Sequence, residues 1–383
     1  MIGVFLLIVY LICSTDSYNY QEPEGLSDTD LVLSFLVHRH GDRTPVPQYM
    51  YLSDNPEVLD ELVKPLGYGQ LTENGMRTAY ELGKFIRRRY GEHLSMRYNR
   101  SEIYIRSTDS TRAKMTALVA MSATYPPIGR SWREGIRWVP VPYTTLPLKI
   151  DFIMGMNCPT FSSHFEEVSN SLNPEMDIYS GVVERLSSIL KRDLTRTPVK
   201  IYFAYDVFVS QTSMGLPVQE SIQKMMPEIK EAADKAFNLL FGNETVIPMQ
   251  AGLLLKEFFD VSSSAIAGKP TQKVRIYSAH DTNVYAFEAI SRVVPRQGAP
   301  SYAAVFALEL RRVRETGRYV VVPIYVKSPG EPVQYLQVKG CGGQLCDLQE
   351  FYDITSPYLL DVEEWKRRCN YQENLKFDPN GFE

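Results

Sequence analysis

The chain has 383 residues, with 41 Lys or Arg against 45 Asp or Glu, so its formal net charge is −4. Its hydrophobic content of 44% and mean hydropathy of −0.21 are typical of a soluble globular protein and exclude a disordered or collagen-like chain. The length favours one large domain with a smaller lobe. The near balance of charges argues against nucleic acid or a membrane surface as a partner, but it leaves room for a local cationic pocket.

The N-terminal segment predicts the compartment. Residues 1–13 (MIGVFLLIVYLIC) are apolar and a polar run follows them. Because about 20 apolar residues are needed to span a bilayer, the segment predicts a secretory signal peptide over residues 1–17, with a buried N-terminal strand as the alternative. The polar C-terminus predicts no membrane anchor. Sequons at Asn99 and Asn243 predict N-glycosylation and agree with secretion, with the lysosomal lumen as a less favoured destination.

Four cysteines remain after removal of the signal peptide. They are Cys158, Cys341, Cys346 and Cys369. An even number in an exported chain predicts two disulfides, for which three pairings exist. Cys341 and Cys346 are near enough in sequence to close a small loop, which would leave Cys158 and Cys369 for a long-range bridge.

Strand-like and helix-like segments alternate along the chain, which predicts an α/β sheet. The predicted strands cover residues 31–37, 102–105, 274–279, 303–310 and 319–326, and residues 199–204 are a further candidate. A helix capped by Thr72 is predicted to bury Met76, Ala79, Leu82, Phe85 and Ile86. Further helices are expected at 111–123, over much of 161–241 with breaks at Pro174, Pro198 and Pro227, and after residue 279 as far as Val294.

The helix-rich middle of the chain predicts an inserted domain. We expect an α/β domain at residues 25–150 plus 251–345 and a mostly helical cap insertion at 151–250. Residues 346–383 are predicted to form a C-terminal tail that packs on the α/β domain.

Ionisable side chains follow three of the predicted strands directly. They are Arg39, His40 and Arg43 after the first strand, Arg106 after the second, and His280 and Asp281 after the third. Ligands of open α/β sheets bind beyond the carboxyl ends of the strands, so neighbouring strands would gather these residues in one crevice that helix N-termini also face. Arginine forks match phosphate oxygens, and two histidines and one carboxylate remain for attack and proton transfer. The pattern predicts a site that binds a phosphate group and cleaves its ester bond.

These motifs resemble those of a known family. Residues 39–45 (RHGDRTP) resemble the N-terminal signature of the histidine acid phosphatases, and residues 277–282 (YSAHDT) resemble their second signature. Arg106, in YIRSTD, resembles the third phosphate-binding arginine. The resemblance extends from about residue 30 to Cys369, and it is closest to the secreted prostatic, lysosomal and insect-venom acid phosphatases. It implies a phosphoglycerate mutase-like mixed sheet flanked by helices, and the activity of a phosphoric monoester hydrolase.

The resemblance also implies roles for individual residues. His40 would attack phosphorus to form a phosphohistidine, and Asp281 would protonate the leaving group and then activate water. The phosphate oxygens would be bound by Arg39, Arg43, Arg106 and His280. No metal or other cofactor is implied, because the arginines supply the positive charge. An acidic pH preference, small phosphomonoester substrates and a homodimer agree with the resemblance.

The resemblance further implies the disulfide pairing. Cys158–Cys369 and Cys341–Cys346 match the family by position, whereas a third bridge, usual in prostatic-type members, has no cysteines here.

Other polar residues near the motifs receive structural interpretations. We interpret His38 as a structural strand residue and Arg112 as structural, and we expect Asp42 and Asp109 to orient the arginines. Motifs of rival phosphatase chemistries are absent from the sequence, since no Cys is followed six positions later by Arg and no Asp-x-Asp-x-Thr run or Walker loop occurs.

Two alternative functions remain open. A phytase or other inositol-phosphate phosphatase needs a cationic pocket rim, but residues 46–60 contain no Lys or Arg and three acidic residues. A secreted relative that binds a phosphate ligand without catalysis is disfavoured by the intact His40 and Asp281.

Overall fold

A mixed sheet lies at the centre of the protein. The computed structural model describes residues 21–129, 132–154 and 157–373, so the predicted signal peptide at 1–17 and residues 374–383 of the predicted tail lie outside the described residues. The strands of the described residues are β1 (Thr29–Arg39), β2 (Ile103–Ser107), β3 (Thr144–Thr145), β4 (Val274–Ala279), β5 (Val293–Val294), β6 (Val305–Val313), β7 (Tyr319–Val326), β8 (Gln334–Tyr335), β9 (Gln337–Val338) and β10 (Cys346–Asp347). Eight of them form one sheet in the order β10-β7-β6-β1-β4-β2-β3, with β8 paired to β7.

Helices flank this sheet on both faces, which confirms the predicted fold class. The α-helices of the described residues are α1 (Pro56–Val63), α2 (Glu73–Tyr90), α3 (Thr111–Thr124), α4 (Pro159–Ser169), α5 (Ser180–Leu190), α6 (Ile201–Ser213), α7 (Glu220–Phe241), α8 (Ile247–Ile266), α9 (Asp281–Ile290), α10 (Leu348–Thr355) and α11 (Val362–Arg368). Short 3-10 helices lie at Leu26–Asp28, Pro47–Leu52, Gly91–His93, Leu148–Ile150, Pro174–Tyr179, Pro198–Lys200 and Ser356–Tyr358. Within the described residues, none of the helices is both long and apolar enough to cross a membrane.

The three strands that carry the ionisable residues are neighbours. β1 pairs in parallel with β4, and β4 pairs in parallel with β2, so all three carboxyl ends lie at one edge of the sheet. On its other side β1 is antiparallel to β6. β1 is buried on both faces, with Phe35 in the core beneath α8 and α9 and Leu36 in the core beneath α2 and α3. This two-sided burial explains the continuous apolar run of the strand.

Helices α4 to α7 share one hydrophobic core with the sheet. Phe237 of α7 and Phe208 of α6 belong to the same buried cluster as Phe35 and Phe306 of the sheet. The core is therefore continuous between the helical segment and the strands. The division at residues 151–250 into a separate cap domain stays a prediction.

Several local predictions are wrong for identifiable reasons. Residues 199–204 form no strand but the end of a 3-10 helix and the first four residues of α6. The side chains of α6 are buried on most of its circumference and so show no helical periodicity. α7 continues through Pro227, because the buried face of that helix outweighs one missing backbone hydrogen bond. Val294 lies in β5 beyond the end of α9, and Met76 is 37% exposed although α2 begins after the Thr72 cap as predicted.

Both disulfides suggested by the sequence are present. Cys158 is bonded to Cys369, and Cys341 is bonded to Cys346. The first bridge joins the start of α4 to the end of α11, where the buried Trp365 donates its indole N–H to the carbonyl of Met249, 2.6 Å away. The end of the described chain is thereby fixed against α8.

Candidate active site

The loop that follows β1 is held close to α2 and α6. A Cβ atom at Gly41 would collide with the backbone carbonyl of Gly75, so the close approach of the loop requires glycine. Asp42 accepts hydrogen bonds from Thr78 Oγ1 at 2.7 Å on α2 and from Ser213 Oγ at 2.7 Å at the end of α6. The expectation that Asp42 orients an arginine is therefore wrong, because its carboxylate anchors the loop. Asp109, assigned the same role, pairs with Lys114.

His40 lies at the centre of the strand edge and presents one unprotonated nitrogen. Its Nδ1 is 2.8 Å from the carbonyl oxygen of Gly41, and because a carbonyl only accepts, Nδ1 carries the proton and Nε2 has the free electron pair. Burial, and then the charges of Arg112 and Arg39, hold the pKa of His40 well below 6.5. The ring therefore stays neutral in mildly acidic solution.

Two of the predicted arginines share one carboxylate. Arg39 Nη2 is 3.2 Å from Asp206 Oδ1, and Arg43 Nη2 is 2.7 Å from Asp206 Oδ2. Arg39 also donates to the carbonyl of Pro300 at 2.8 Å and lies over the ring of Tyr302. Both guanidinium groups are buried, so their orientation is fixed before any ligand arrives. Sequence reasoning missed Asp206, since it lies on α6 with no motif around it.

His280 is held by residues of the β2–α3 connection. Its ring lies 5.5 Å from that of His40, its Nε2 is 3.0 Å from Thr108 Oγ1, and its Nδ1 is 3.4 Å from Arg112 Nη2. Burial and then the charge of Arg112 lower the pKa of His280 well below 6.5. Arg112, which we interpreted as structural, thus lies beside both histidines.

Arg106 lies below this group along the strands. Its Nη2 donates to the buried carboxylate of Asp151. It pairs in register with Tyr277, whereas Arg39 pairs with Ala279 at the strand edge, so Arg106 lies two residues before the edge. Two residues correspond to about 6.6 Å along a strand. The structure therefore brings together the predicted residues except Arg106, and it adds Arg112.

Arg106 nevertheless has an indirect link to the site. Asp151 also accepts from the backbone N–H of Met154 at 3.2 Å, and the carbonyl of Met154 accepts from Asn283 Nδ2 at 2.7 Å. Asn283 Oδ1 is in turn 3.3 Å from the backbone nitrogen of His280. The Arg106–Asp151 pair thus supports the loop that fixes the first turn of α9.

Asp281 begins α9 and faces the arginines. Its Oδ2 lies 2.9 Å from Arg39 Nη2 and accepts from the Tyr202 hydroxyl at 3.1 Å. Its Oδ1 accepts from the backbone N–H of Thr282 at 2.8 Å. Burial and then the charge of Asp281 raise the pKa of Tyr202 well above 10, so the phenol keeps its proton and donates it. The carboxyl group is thereby positioned on the α6 side of the crevice.

His38 is a buried residue of β1 that precedes the site residues. It pairs in register with Ser278, and its Nδ1 is 3.0 Å from the carbonyl of Arg39. Burial lowers the pKa of His38 to about 4. These contacts agree with its interpretation as a structural residue.

A cavity of about 230 Å³ opens beside Arg39. Its walls come from α6, from the loop after β5 and from the loop after β1. The lining side chains include Asp42, Thr78, Tyr202, Tyr205, Asp206, Val209, Ser301, Tyr302 and Ser328. Arg39 is the one cation among the lining residues, and two carboxylates accompany it.

The geometry therefore defines an α/β protein with a buried histidine in an arginine-rich crevice at the carboxyl edge of its parallel strands. Residues 34–320 match the Histidine phosphatase superfamily (branch 2), and the chain belongs to this family. It is 30% identical to prostatic acid phosphatase of Bos taurus, over 90% of this chain and 89% of that protein. It is 29% identical to lysosomal acid phosphatase of Xenopus laevis, over 87% of this chain and 77% of that protein. The resemblance to the histidine acid phosphatases is confirmed.

Solved structures show the same fold at low sequence identity. The Hafnia alvei phytase in complex with myo-inositol hexakis sulphate superposes with a TM-score of 0.65 and 13% identity, over 91% of this chain and 99% of that chain. The phytase from D. castellii gives a TM-score of 0.62 and 12% identity, over 93% of this chain and 84% of that chain. These similarities establish the fold.

Proposed function

We propose that the protein is a secreted acid phosphatase that hydrolyses small phosphate monoesters through a covalent phosphohistidine. The observation that carries the proposal is the unprotonated Nε2 of His40 in a crevice with three arginines and the carboxyl group of Asp281. The names of the relatives, prostatic and lysosomal acid phosphatases, support the proposed class of reaction.

In the first step, the electron pair of His40 Nε2 attacks phosphorus and forms an N–P bond. The P–O bond to the leaving group breaks, and its electron pair goes to the leaving oxygen, which takes a proton from Asp281. The guanidinium groups of Arg39, Arg43 and Arg112, with His280, bind the oxygens on which charge is spread. Arg112 takes the place that we first gave to Arg106.

In the second step, water attacks the phosphorus of phosphohistidine. The Asp281 carboxylate removes a proton from that water, and the N–P bond breaks with its electron pair returning to His40 Nε2. Inorganic phosphate leaves, and Asp281 is protonated for the next cycle. The arginines supply the positive charge throughout, so we propose a reaction without a metal or other cofactor.

An acidic working range follows from the state that each group needs. Asp281 has to carry a proton when the ester bond breaks, and acid favours that form. His40 has to be neutral, and its pKa, held well below 6.5 by burial and the neighbouring arginines, keeps it so in acid. The positive charge of the crevice therefore keeps the nucleophile unprotonated in acid, where Asp281 has to act as the proton donor.

Small monoesters fit the cavity better than inositol polyphosphates do. A polyphosphate needs several cations beyond the reacting phosphate, but the lining of the cavity beside Arg39 contains no Lys and carries Asp42 and Asp206. The phytase alternative is therefore disfavoured.

Two surface features support the proposed secretion. Asn99 and Asn243 are both exposed, and each side-chain oxygen accepts a hydrogen bond from the hydroxyl group of its own sequon, Ser101 at 2.9 Å and Thr245 at 2.6 Å. Both disulfides also fit an oxidising compartment. The homodimer stays a prediction.

The test is hydrolysis of p-nitrophenyl phosphate at acidic pH with His40→Ala. We expect wild-type turnover in the presence of a chelator and a loss of at least about 1,000-fold in the variant, because the nucleophile is gone. His93→Ala, on a surface 3-10 helix, is the matched control and should retain activity. Activity retained by His40→Ala would refute the nucleophile, and a wild-type protein without turnover would favour the silent relative.

A further inference from the structure

The carboxylate of Asp206 binds the same two arginines that a bound phosphate would contact. It spans the two guanidinium groups, with one oxygen toward Arg39 and the other toward Arg43. All three residues are at least nine-tenths buried. An anion that binds this arginine pair therefore meets a second anion already attached to it.

Asp206 is held there by the helix that carries it. One turn before it on α6, the Tyr202 hydroxyl donates to Asp281, and one turn after it, Ser210 Oγ donates to the carbonyl of Arg43 at 2.7 Å. Further along, Ser213 donates to Asp42. The same face of α6 thus contacts the acid, the backbone of an arginine and the loop after β1, so the helix holds the backbone of Asp206 beside the arginine pair.

We propose that Asp206 weakens the affinity of the arginine pair for phosphate and thereby speeds the release of the product. This rests on the proposed function, in which Arg39 and Arg43 bind the phosphate oxygens. Three buried arginines beside one phosphate anion would hold it tightly, because buried charges are little screened by salt. A fixed carboxylate next to the bound phosphate opposes that attraction through like-charge repulsion.

An alternative role for Asp206 predicts the opposite result. If the carboxylate only orients the two guanidinium groups, its removal leaves them less ordered, and phosphate should bind more weakly. The sign of the change in phosphate affinity therefore decides between a competing and an orienting carboxylate.

The experiment measures binding of inorganic phosphate by calorimetry to the full chain, with Asp206→Asn, Asp206→Ser and wild type compared at about pH 5. We expect each neutral variant to bind phosphate at least about tenfold more tightly, and to show a lower KM with a lower kcat for p-nitrophenyl phosphate. The two substitutions differ in size, so a folding defect of one leaves the other to test. Asp193→Asn, an exposed aspartate of the helical segment, removes the same charge and should change neither value.

Unchanged or weaker phosphate binding in the folded Asp206 variants would overturn the proposal while leaving the proposed function intact. A wild-type protein that binds no phosphate would instead refute the arginine crevice itself, and the Asp206 proposal with it.

Discussion

Two carboxylates of this protein each lie between two arginines, and they have different surroundings. Asp206 bridges Arg39 and Arg43 at the carboxyl edge of the sheet. Glu309, in β6, lies 2.6 Å from Arg89 Nε and 2.9 Å from Arg311 Nη1. Each cluster consists of one buried carboxylate and two arginines. The types of side chain alone therefore do not distinguish a functional site from an ion-pair cluster that stabilises the fold.

The neighbours of each cluster make the difference. Glu309 is fully buried and also accepts from the Tyr90 hydroxyl at 3.0 Å, so both of its oxygens are occupied by protein donors. Burial alone would raise the pKa of Glu309, but the charge and hydrogen bond of Arg89 hold it below 4.5. A cavity adjoins each of the two clusters. Arg39, however, which pairs with Asp206, also contacts a second carboxylate, Asp281, and its charge helps to lower the pKa of His40. What distinguishes the Asp206 cluster is therefore the reactive groups that adjoin it, and not the presence of a cavity.

Removing a cation from the site should affect activity most. For Arg112→Met we expect kcat/KM for p-nitrophenyl phosphate to fall by about 100- to 1,000-fold, because a donor to the developing charge is lost. Steady-state kinetics at acidic pH measure the effect, and urea unfolding reports stability. Lys114→Met, on the same helix but paired with Asp109 nearer the surface, is the control and should keep its kcat/KM. Equal kinetic losses in both variants would contradict the assignment of Arg112.

Removing the carboxylate of the structural cluster should affect stability instead. Glu309→Gln leaves Arg89 and Arg311 without their counter-charge, so the free energy of unfolding should fall by about 3 kcal/mol. Urea unfolding measures this change, and KM should stay at the wild-type value. Glu81→Gln, an exposed ion-pair partner on α2, should change stability by less than about 0.5 kcal/mol. A changed KM with unchanged stability would show that the two clusters do not differ as described.

A third buried carboxylate has no arginine pair and should give a smaller, pH-dependent effect. Glu288 is fully buried, one oxygen accepts from the backbone N–H of Gln297 at 2.8 Å, and burial raises its pKa from 4.5 to about 8. Between these values the folded chain keeps a proton that the unfolded chain has lost, so stability falls as pH rises.

From about pH 5 to pH 7, wild type should therefore lose about 2 kcal/mol more stability than Glu288→Gln. Urea unfolding of both proteins at the two pH values measures the difference. Parallel stability profiles would mean that Glu288 is ionised in the folded protein.

The sequence predicts the parts of the site that are local in the chain. Arg39, His40, His280 and Asp281 follow apolar strands immediately, and parallel strands place their carboxyl ends at one edge. Arg106 also follows an apolar segment, but β2 continues through it to Ser107, so its side chain lies below the edge. Arg112 reaches the crevice from the first turn of α3. It does not directly follow a strand, so the search for ionisable residues after strands did not select it.

Predictions fail where tertiary packing decides the outcome. Residues 201–204 are all apolar because this part of α6 is buried, and a short apolar run does not distinguish strand from helix. That error also concealed Asp206, which lies 163 residues after Arg43 and meets it only in the folded chain. One signal for Asp206 was present in the sequence. It is a charged residue in an otherwise apolar segment with no partner nearby, and a buried charge needs a partner from elsewhere in the chain.

The bridge from Cys158 to Cys369 has a consequence for damage by proteases. It closes a covalent loop between residues 211 positions apart, and that loop carries Asp206, His280 and Asp281, whereas His40 and Arg112 lie outside it. A single cut anywhere inside the loop yields two polypeptides that stay joined through sulfur. After such a cleavage by a protease, the residues on both sides of the crevice thus remain covalently linked until the disulfide is reduced.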